Sequence, residues 1–170
     1  IKDHKFFIVP LGFDEINQSV ESGDVDFALV NPSIYVELEM KYDVSRLITL
    51  KSQVSGKELI RFGGVIFTSS TNTTINTLED IKNKSFVAVD AESFGGWQTE
   101  WKEFLDHGID PYKEFAKLDF AGTQEQTVYK VLSGEYDAGA TRTGILEQLA
   151  QEGKIKLSDI KILNQCTSCN

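Results

Sequence analysis

The 170-residue sequence predicts an α/β fold of two lobes, each a mostly parallel sheet flanked by helices. Three observations carry that expectation. Short apolar runs alternate with stretches of helical periodicity along the whole chain, the pattern of β-α-β units. Ser22-Gly23-Asp24-Val25-Asp26-Phe27-Ala28 is echoed by Ser133-Gly134-Glu135-Tyr136-Asp137-Ala138-Gly139, too far on for a solenoid period but suited to two similar units in tandem. The polar stretch Ser69-Ser70-Thr71-Asn72-Thr73-Thr74 follows the most apolar strand, which places the crossover between lobes at residues 60–68. Lobe one is therefore expected over residues 1–66 and lobe two over 67–165, with 166–170 a tail.

Taken in order, strand 6–10 rests on the apolar run Phe6-Phe7-Ile8-Val9. Helix 13–22 stops at Gly23, where a left-handed residue ends a helix cheaply. Strand 25–30, helix 33–41 and strand 47–51 complete the first lobe before strand 62–69. A helix over 77–82 opens on Thr77-Leu78-Glu79-Asp80, which resembles a capping box with Thr77 bonding the amide three residues on. After strand 85–89 comes helix 96–107, with Trp97, Trp101, Phe104 and Leu105 on one apolar face. Strand 115–120, helix 124–133, strand 137–140, helix 143–151 and strand 160–163 finish the second lobe. Gly108, Gly134 and Gly153 each follow a periodic run and read as helix stops.

Composition narrows the function classes. Hydrophobic residues make 41% and charged residues 25%, a balance that supports a packed core over disorder. The net charge is −9 and neither lobe is basic, so nucleic acid, which needs clustered Lys and Arg, is excluded as a partner. No stretch approaches the roughly 18 apolar residues of a membrane span. The chain opens almost at once on a strand and stops on Cys166-Thr167-Ser168-Cys169-Asn170, so it is read as a piece of a longer protein. The C-x-x-C pair could be a redox pair, a short disulfide or half a zinc site. His4 and His107 are the only histidines and lack finger-like spacing, so no metal and no cofactor is expected.

Ligands in open α/β sheets bind beyond the carboxyl ends of strands, against helix N-termini. That rule selects four turns: Asn31-Pro32-Ser33, residues 90–96, Gly122-Thr123-Gln124 and Thr141-Arg142-Thr143. In Ser93-Phe94-Gly95-Gly96 two glycines permit close backbone approach, and free amides at a helix start favour an anion. Arg142 is the one arginine after Arg61, and its fork of donors suits a carboxylate, phosphonate or sulfonate. Thr123 and Gln124 offer neutral donors and acceptors, with helix capping the bland alternative. Phe13, Tyr35, Phe94 and Trp97 could line a cleft, although core packing explains any one of them as well. Nucleotide-binding loops, the serine-hydrolase elbow and the H-E-x-x-H zinc motif are all missing, so nothing reads as catalytic.

At these turns the sequence resembles the phosphonate-binding branch of the type 2 periplasmic binding proteins. It is more closely similar to the version that serves as the extracytoplasmic sensor of bacterial histidine kinases, the group that includes tetrathionate sensors. The residues carrying this are S-G-D-V-D-F-A-L-V-N-P-S-I-Y from Ser22, D-A-E-S-F-G-G-W-Q from Asp90, G-I-D-P-Y from Gly108 and A-G-T-Q-E-Q-T-V-Y-K-V-L-S-G-E-Y-D-A-G from Ala121, running into T-R-T at Thr141. The resemblance implies lobe-one aromatic contacts from Phe13 and Tyr35 and a helix-start anion site at Ser93, Gly95 and Gly96. Gln124 stands where transport members often carry His, and Arg142 where they often carry an acid, which shifts the expected ligand toward a different, more negative solute. The family's first strand and helix and its return segment have no counterpart in the chain.

The implied function is solute sensing in the periplasm. A small anionic molecule binds between the lobes, hinge closure signals, and the parent chain is anchored in the membrane; a homodimer is left open. A free-standing receptor for an ABC transporter is the competing reading. An enzyme on the same scaffold and a domain that binds a protein partner are the others.

Overall fold

A computed structural model describes residues 3–54 and 57–165, and the chain divides into two compact units, residues 1–45 and 46–170. The first unit is two helices, α1 (Ile16–Glu21) and α2 (Pro32–Tyr42). The Asn31 side chain caps α2 by accepting from the Ile34 amide at 3.1 Å, and Pro32 occupies the first helical turn, where its missing N–H costs nothing. Ile16, Ile34 and Leu38 form the core of this unit, with Phe13 packed against them.

The strands expected at 6–10, 25–30 and 47–51 do not form among the described residues. Phe7 is 84% exposed, Ile8 95% and Leu29 81%. A strand is defined by its partner, and unpaired backbone groups bond to water instead. The apolar pattern is present in these segments, but the pairing is not.

The second unit begins with a hairpin that the sequence reading did not anticipate, β1 (Ser52–Val54) with β2 (Lys57–Leu59). Its body is a five-stranded sheet of β3 (Gly64–Ser69), β4 (Ser85–Ala88), β5 (Lys117–Phe120), β6 (Ala138–Arg142) and β7 (Ile160–Gln165) in the order β5-β4-β6-β3-β7. β4 runs parallel to β5 and β6, whereas β3 is antiparallel to β6 and β7, so the sheet is mixed. Both faces are covered. Val65, Phe67 and Val87 point to one side, against α5 (Gln124–Leu132) and α6 (Ile145–Gln151). Ile66, Phe86 and Ala88 point to the other, against α3 (Thr99–Asp106) and the turns before it. Gly139 lets β6 fit under α5, since a methyl group there would lie 2.8 Å from both Val131 and the Val87 carbonyl.

Several boundaries differ from expectation for local reasons. The helix expected at 77–82 is a single 3-10 turn, Glu79–Ile81. There the Asp80 carboxylate accepts from the amides of Asn76 and Thr77 at 2.9 Å each, so the acid caps the turn and the Thr77 hydroxyl does not. The helix expected from Gly96 starts earlier, as a π-turn over Phe94–Gln98 that runs into α3. Asp110 caps a short helix α4 (Pro111–Glu114) that was not foreseen. The helices end at the expected glycines: Gly23, Gly108, Gly134 and Gly153 all have φ between 71° and 79°.

Candidate functional site

Because β4, β5 and β6 are parallel, their carboxyl ends share one end of the sheet, and the start of antiparallel β3 joins them there. Gly64 pairs with Arg142 across that end. The turns after Ala88 and Arg142 meet the segment 62–64, through Gly95 and Thr143, and the turn after Phe120 lies beside the turn after Ala88. Amide hydrogen bonds tie two of these turns together, from Ala121 to the Ala88 carbonyl (2.9 Å) and from Gly122 to Val89 (2.8 Å). Thr143 donates its amide to the Gly63 carbonyl (2.9 Å), and its hydroxyl accepts from the Gly63 amide (3.2 Å).

This arrangement brings eight of the sequence-predicted site residues to one place and separates them by role. Arg142 is half-buried. Among the described residues no carboxylate pairs with its guanidinium, and burial alone draws its pKa below the usual arginine range. Gln124 steadies the same strand end by accepting from the Thr141 hydroxyl (2.5 Å) and from the Arg142 amide (3.0 Å). Thr123 is exposed and caps α5 through its hydroxyl, which accepts from the Gln126 amide at 3.2 Å. Capping and ligand contact are compatible at such a residue.

Other members of the set are structural. Thr141 is fully buried with its hydroxyl committed to Gln124. Trp97 is fully buried as well; its indole donates to the Tyr112 hydroxyl (3.3 Å) and its ring stacks on Trp101 at 6.2 Å, so it belongs to the core and lines no cleft. Gly95 and Gly96 are buried because neighbours press on them. A methyl on Gly95 would lie 2.7 Å from Phe62, and one on Gly96 would lie 2.5 Å from Val89. Ser93 is buried, and its carbonyl accepts the first π-turn bond, from Gln98 at 3.1 Å. The amides of Phe94, Gly95, Gly96 and Trp97 precede that bond, as in any helix start.

In the first unit, Asn31 caps α2 and Ser33 lies in its first turn. The Tyr35 hydroxyl donates to Glu39 (2.5 Å), and Phe13 supports the small core.

The sequence reading passed over Glu100. Trp97, Glu100 and Phe104 are the buried stripe of this helix, while Trp101 and Leu105 are partly exposed. An acid three residues after one core aromatic and four before another was the available signal. Among the described residues no group of His, Cys, Asp or Glu could hold a metal, and no helix is long and apolar enough to cross a membrane. Cys166 and Cys169 lie outside the described residues.

Comparisons with known proteins agree with this topology. The chain is 30% identical over 164 residues to the tetrathionate sensor histidine kinase TtrS of Salmonella typhimurium, which covers 95% of the chain but 28% of the kinase. PhnD1 from Prochlorococcus marinus, solved with methylphosphonate, superposes with a TM-score of 0.73 at 20% identity, over 92% of this chain and 58% of that one. XAC2383 from Xanthomonas citri, solved with ATP, gives 0.69 at 17% identity, over 91% and 58%. At those identities the solved structures establish the fold alone, and the chain spans little more than half of their length. The model of the family described as "ABC transporter, phosphonate, periplasmic substrate-binding protein" matches residues 6–169, and the chain belongs to that family of type 2 periplasmic-binding-protein domains.

Proposed function

We propose that the chain is the extracytoplasmic solute-sensing domain of a two-component sensor histidine kinase, and that it binds a small anion at Arg142. The supporting observation is the half-buried guanidinium with no carboxylate partner among the described residues, set at the strand end that Gln124, Thr123 and the Ser93 turn share. A buried unpaired cation is costly unless something neutralises it, and an anion does so with two parallel hydrogen bonds. The similarity to a tetrathionate sensor kinase supports the signalling half of the reading. No catalytic role is proposed for the domain.

In this reading residues 1–66 and 67–165 are the two lobes, and the anion favours their closed arrangement. Phe13, Asn31, Ser33 and Tyr35 are the lobe-one contacts. Binding shifts the equilibrium only by its differential contacts in the closed state. The parent chain lies in the inner membrane with this domain in the periplasm, and pairing into a homodimer is part of the proposal. The family description favours a second reading, a free-standing receptor of an ABC transporter for a phosphonate or another oxyanion.

The test is thermal melting with methylphosphonate, inorganic phosphate, sulfate, methanesulfonate, acetate and tetrathionate in turn. A ligand at ~100 times its dissociation constant adds about 2.7 kcal/mol. Arg142→Ala is expected to melt no lower than wild type without ligand and to abolish the response. An equal response in that variant, or silence across the panel from a cooperatively melting sample, would sink the reading.

A further inference from the structure

Glu100 is the one buried carboxylate among the described residues, 2% exposed. Its Oε2 accepts from the Thr99 hydroxyl at 3.0 Å, and its Oε1 has no hydrogen-bond partner among the described residues. The carboxyl lies directly on Gly64, where a methyl group would fall 0.9 Å from Oε1. The cavity beside it is about 10 Å³, lined further by Ile66, Glu103 and Asn164, and has room for one water at most.

Of the residues facing that cavity, Glu103 on the next turn of α3 is the other titratable one, and the Asn164 amide donates to it. β3 offers Gly64 and Ile66, and β7 offers Asn164, none of them charged. Nothing there neutralises a charge on Glu100. Burial therefore pushes its pKa up to about 8, against weaker opposition from its own nearby amide, the Thr99 hydroxyl and the nearby Val65 amide.

The segment that Glu100 supports is clamped from both sides. Gly64 pairs with Arg142, and Gly63 exchanges two hydrogen bonds with Thr143. Opposite, Gly95 packs so closely that a methyl would lie 2.7 Å from Phe62 and 2.9 Å from the Gly63 carbonyl. The Phe62 ring meets Phe94 edge-on at 5.9 Å.

We propose that Glu100 is a positioning residue for the anion site: its buried carboxyl seats the start of β3 against β6 and so sets where Arg142 is held. The proposal rests on the reading of Arg142 given above. Ionising Glu100 in this cavity, with no counter-charge, favours any movement that brings water to Oε1, and the backbone that lies against that oxygen is Gly64. Such a movement carries the Gly64–Arg142 pairing with it. Folding holds the proton well above the ordinary glutamate value of 4.5, so between there and about 8 the native chain keeps a proton that the unfolded chain has lost. The stability this group contributes is complete below the lower value, falls as pH rises through about 8, and is level beyond it.

Two measurements on wild type and Glu100→Gln test this. Ligand-free melting from about pH 5 to 9 should show the variant gaining on wild type up to about pH 8 and holding a constant lead beyond it. Tetrathionate and sulfate, whose charge does not change over this range, should bind wild type about tenfold more weakly at pH 9 than at pH 7, and the variant equally at both. A melting difference that is flat with pH overturns the buried neutral acid. A melting difference with the same binding profile in both proteins leaves Glu100 a core acid and overturns its positioning role. Failure of both anions to bind at any pH overturns this role, while the full panel of anions decides the Arg142 site separately and the ligand-free profile still reports Glu100 on its own.

Discussion

Residues 22–28 and 133–139 share one local pattern and reach different ends. Both follow a helix, α1 in one case and α5 in the other, and both stop it in the same way. Ser22 and Ser133 close the last turn in right-handed conformations, and Gly23 and Gly134 follow with φ of 75° and 79°. The paths then part. From Ala138 the chain enters β6 and is hydrogen-bonded to β3 on one side and β4 on the other. Residues 25–30 form no strand, and Phe27 and Leu29 stay exposed. A helix stop is decided by the turn itself, whereas a strand also needs neighbours to pair with.

Hydrogen exchange would separate the two segments most widely. Amides in β6 are expected to exchange only through global opening, with protection on the order of 10³ or more, and amides of residues 25–30 close to the unprotected rate. Equal protection would mean that the first segment finds a partner in solution. A smaller effect comes from one substitution made at both matching positions. Gly139→Val forces side-chain atoms onto Val131 and the Val87 carbonyl and should cost about 3 kcal/mol in chemical denaturation. Ala28→Val, at an exposed site, should stay within about 0.5 kcal/mol. Comparable losses would refute the contrast between paired and unpaired segments. The smallest effect concerns the helix starts, where the two units should agree. Asn31→Ala and Thr123→Ala each remove a side-chain acceptor from a first-turn amide, and each should cost about 1 kcal/mol. A clear inequality would show that one cap is also held by tertiary contacts.

The candidate site was legible to a similar degree and for similar reasons. Arg142, Gln124 and Thr123 could be placed at strand ends because the rule for open α/β sheets depends only on element order. Trp97 and Thr141 occupy the same turns in sequence, yet they are buried and committed to the core. Sequence position says which turn a residue belongs to, but not which side of the turn its side chain takes. Glu100 was missed because an acid on a helix is ordinarily solvated, and nothing local marks the glycine on another strand that receives it.

From sequence alone came the α/β class, the helix stops at glycines, the capping alternative at Thr123, and the family resemblance. Each depends on interactions within a few residues or on a linear pattern. The tertiary structure decided that β3 runs antiparallel to its neighbours, that residues 6–10 and 25–30 form no strand with the described residues, and that Glu100 loses its water beneath Gly64. Those outcomes depend on contacts between residues far apart in the chain, and their energies come from pairing and desolvation, which no single segment contains.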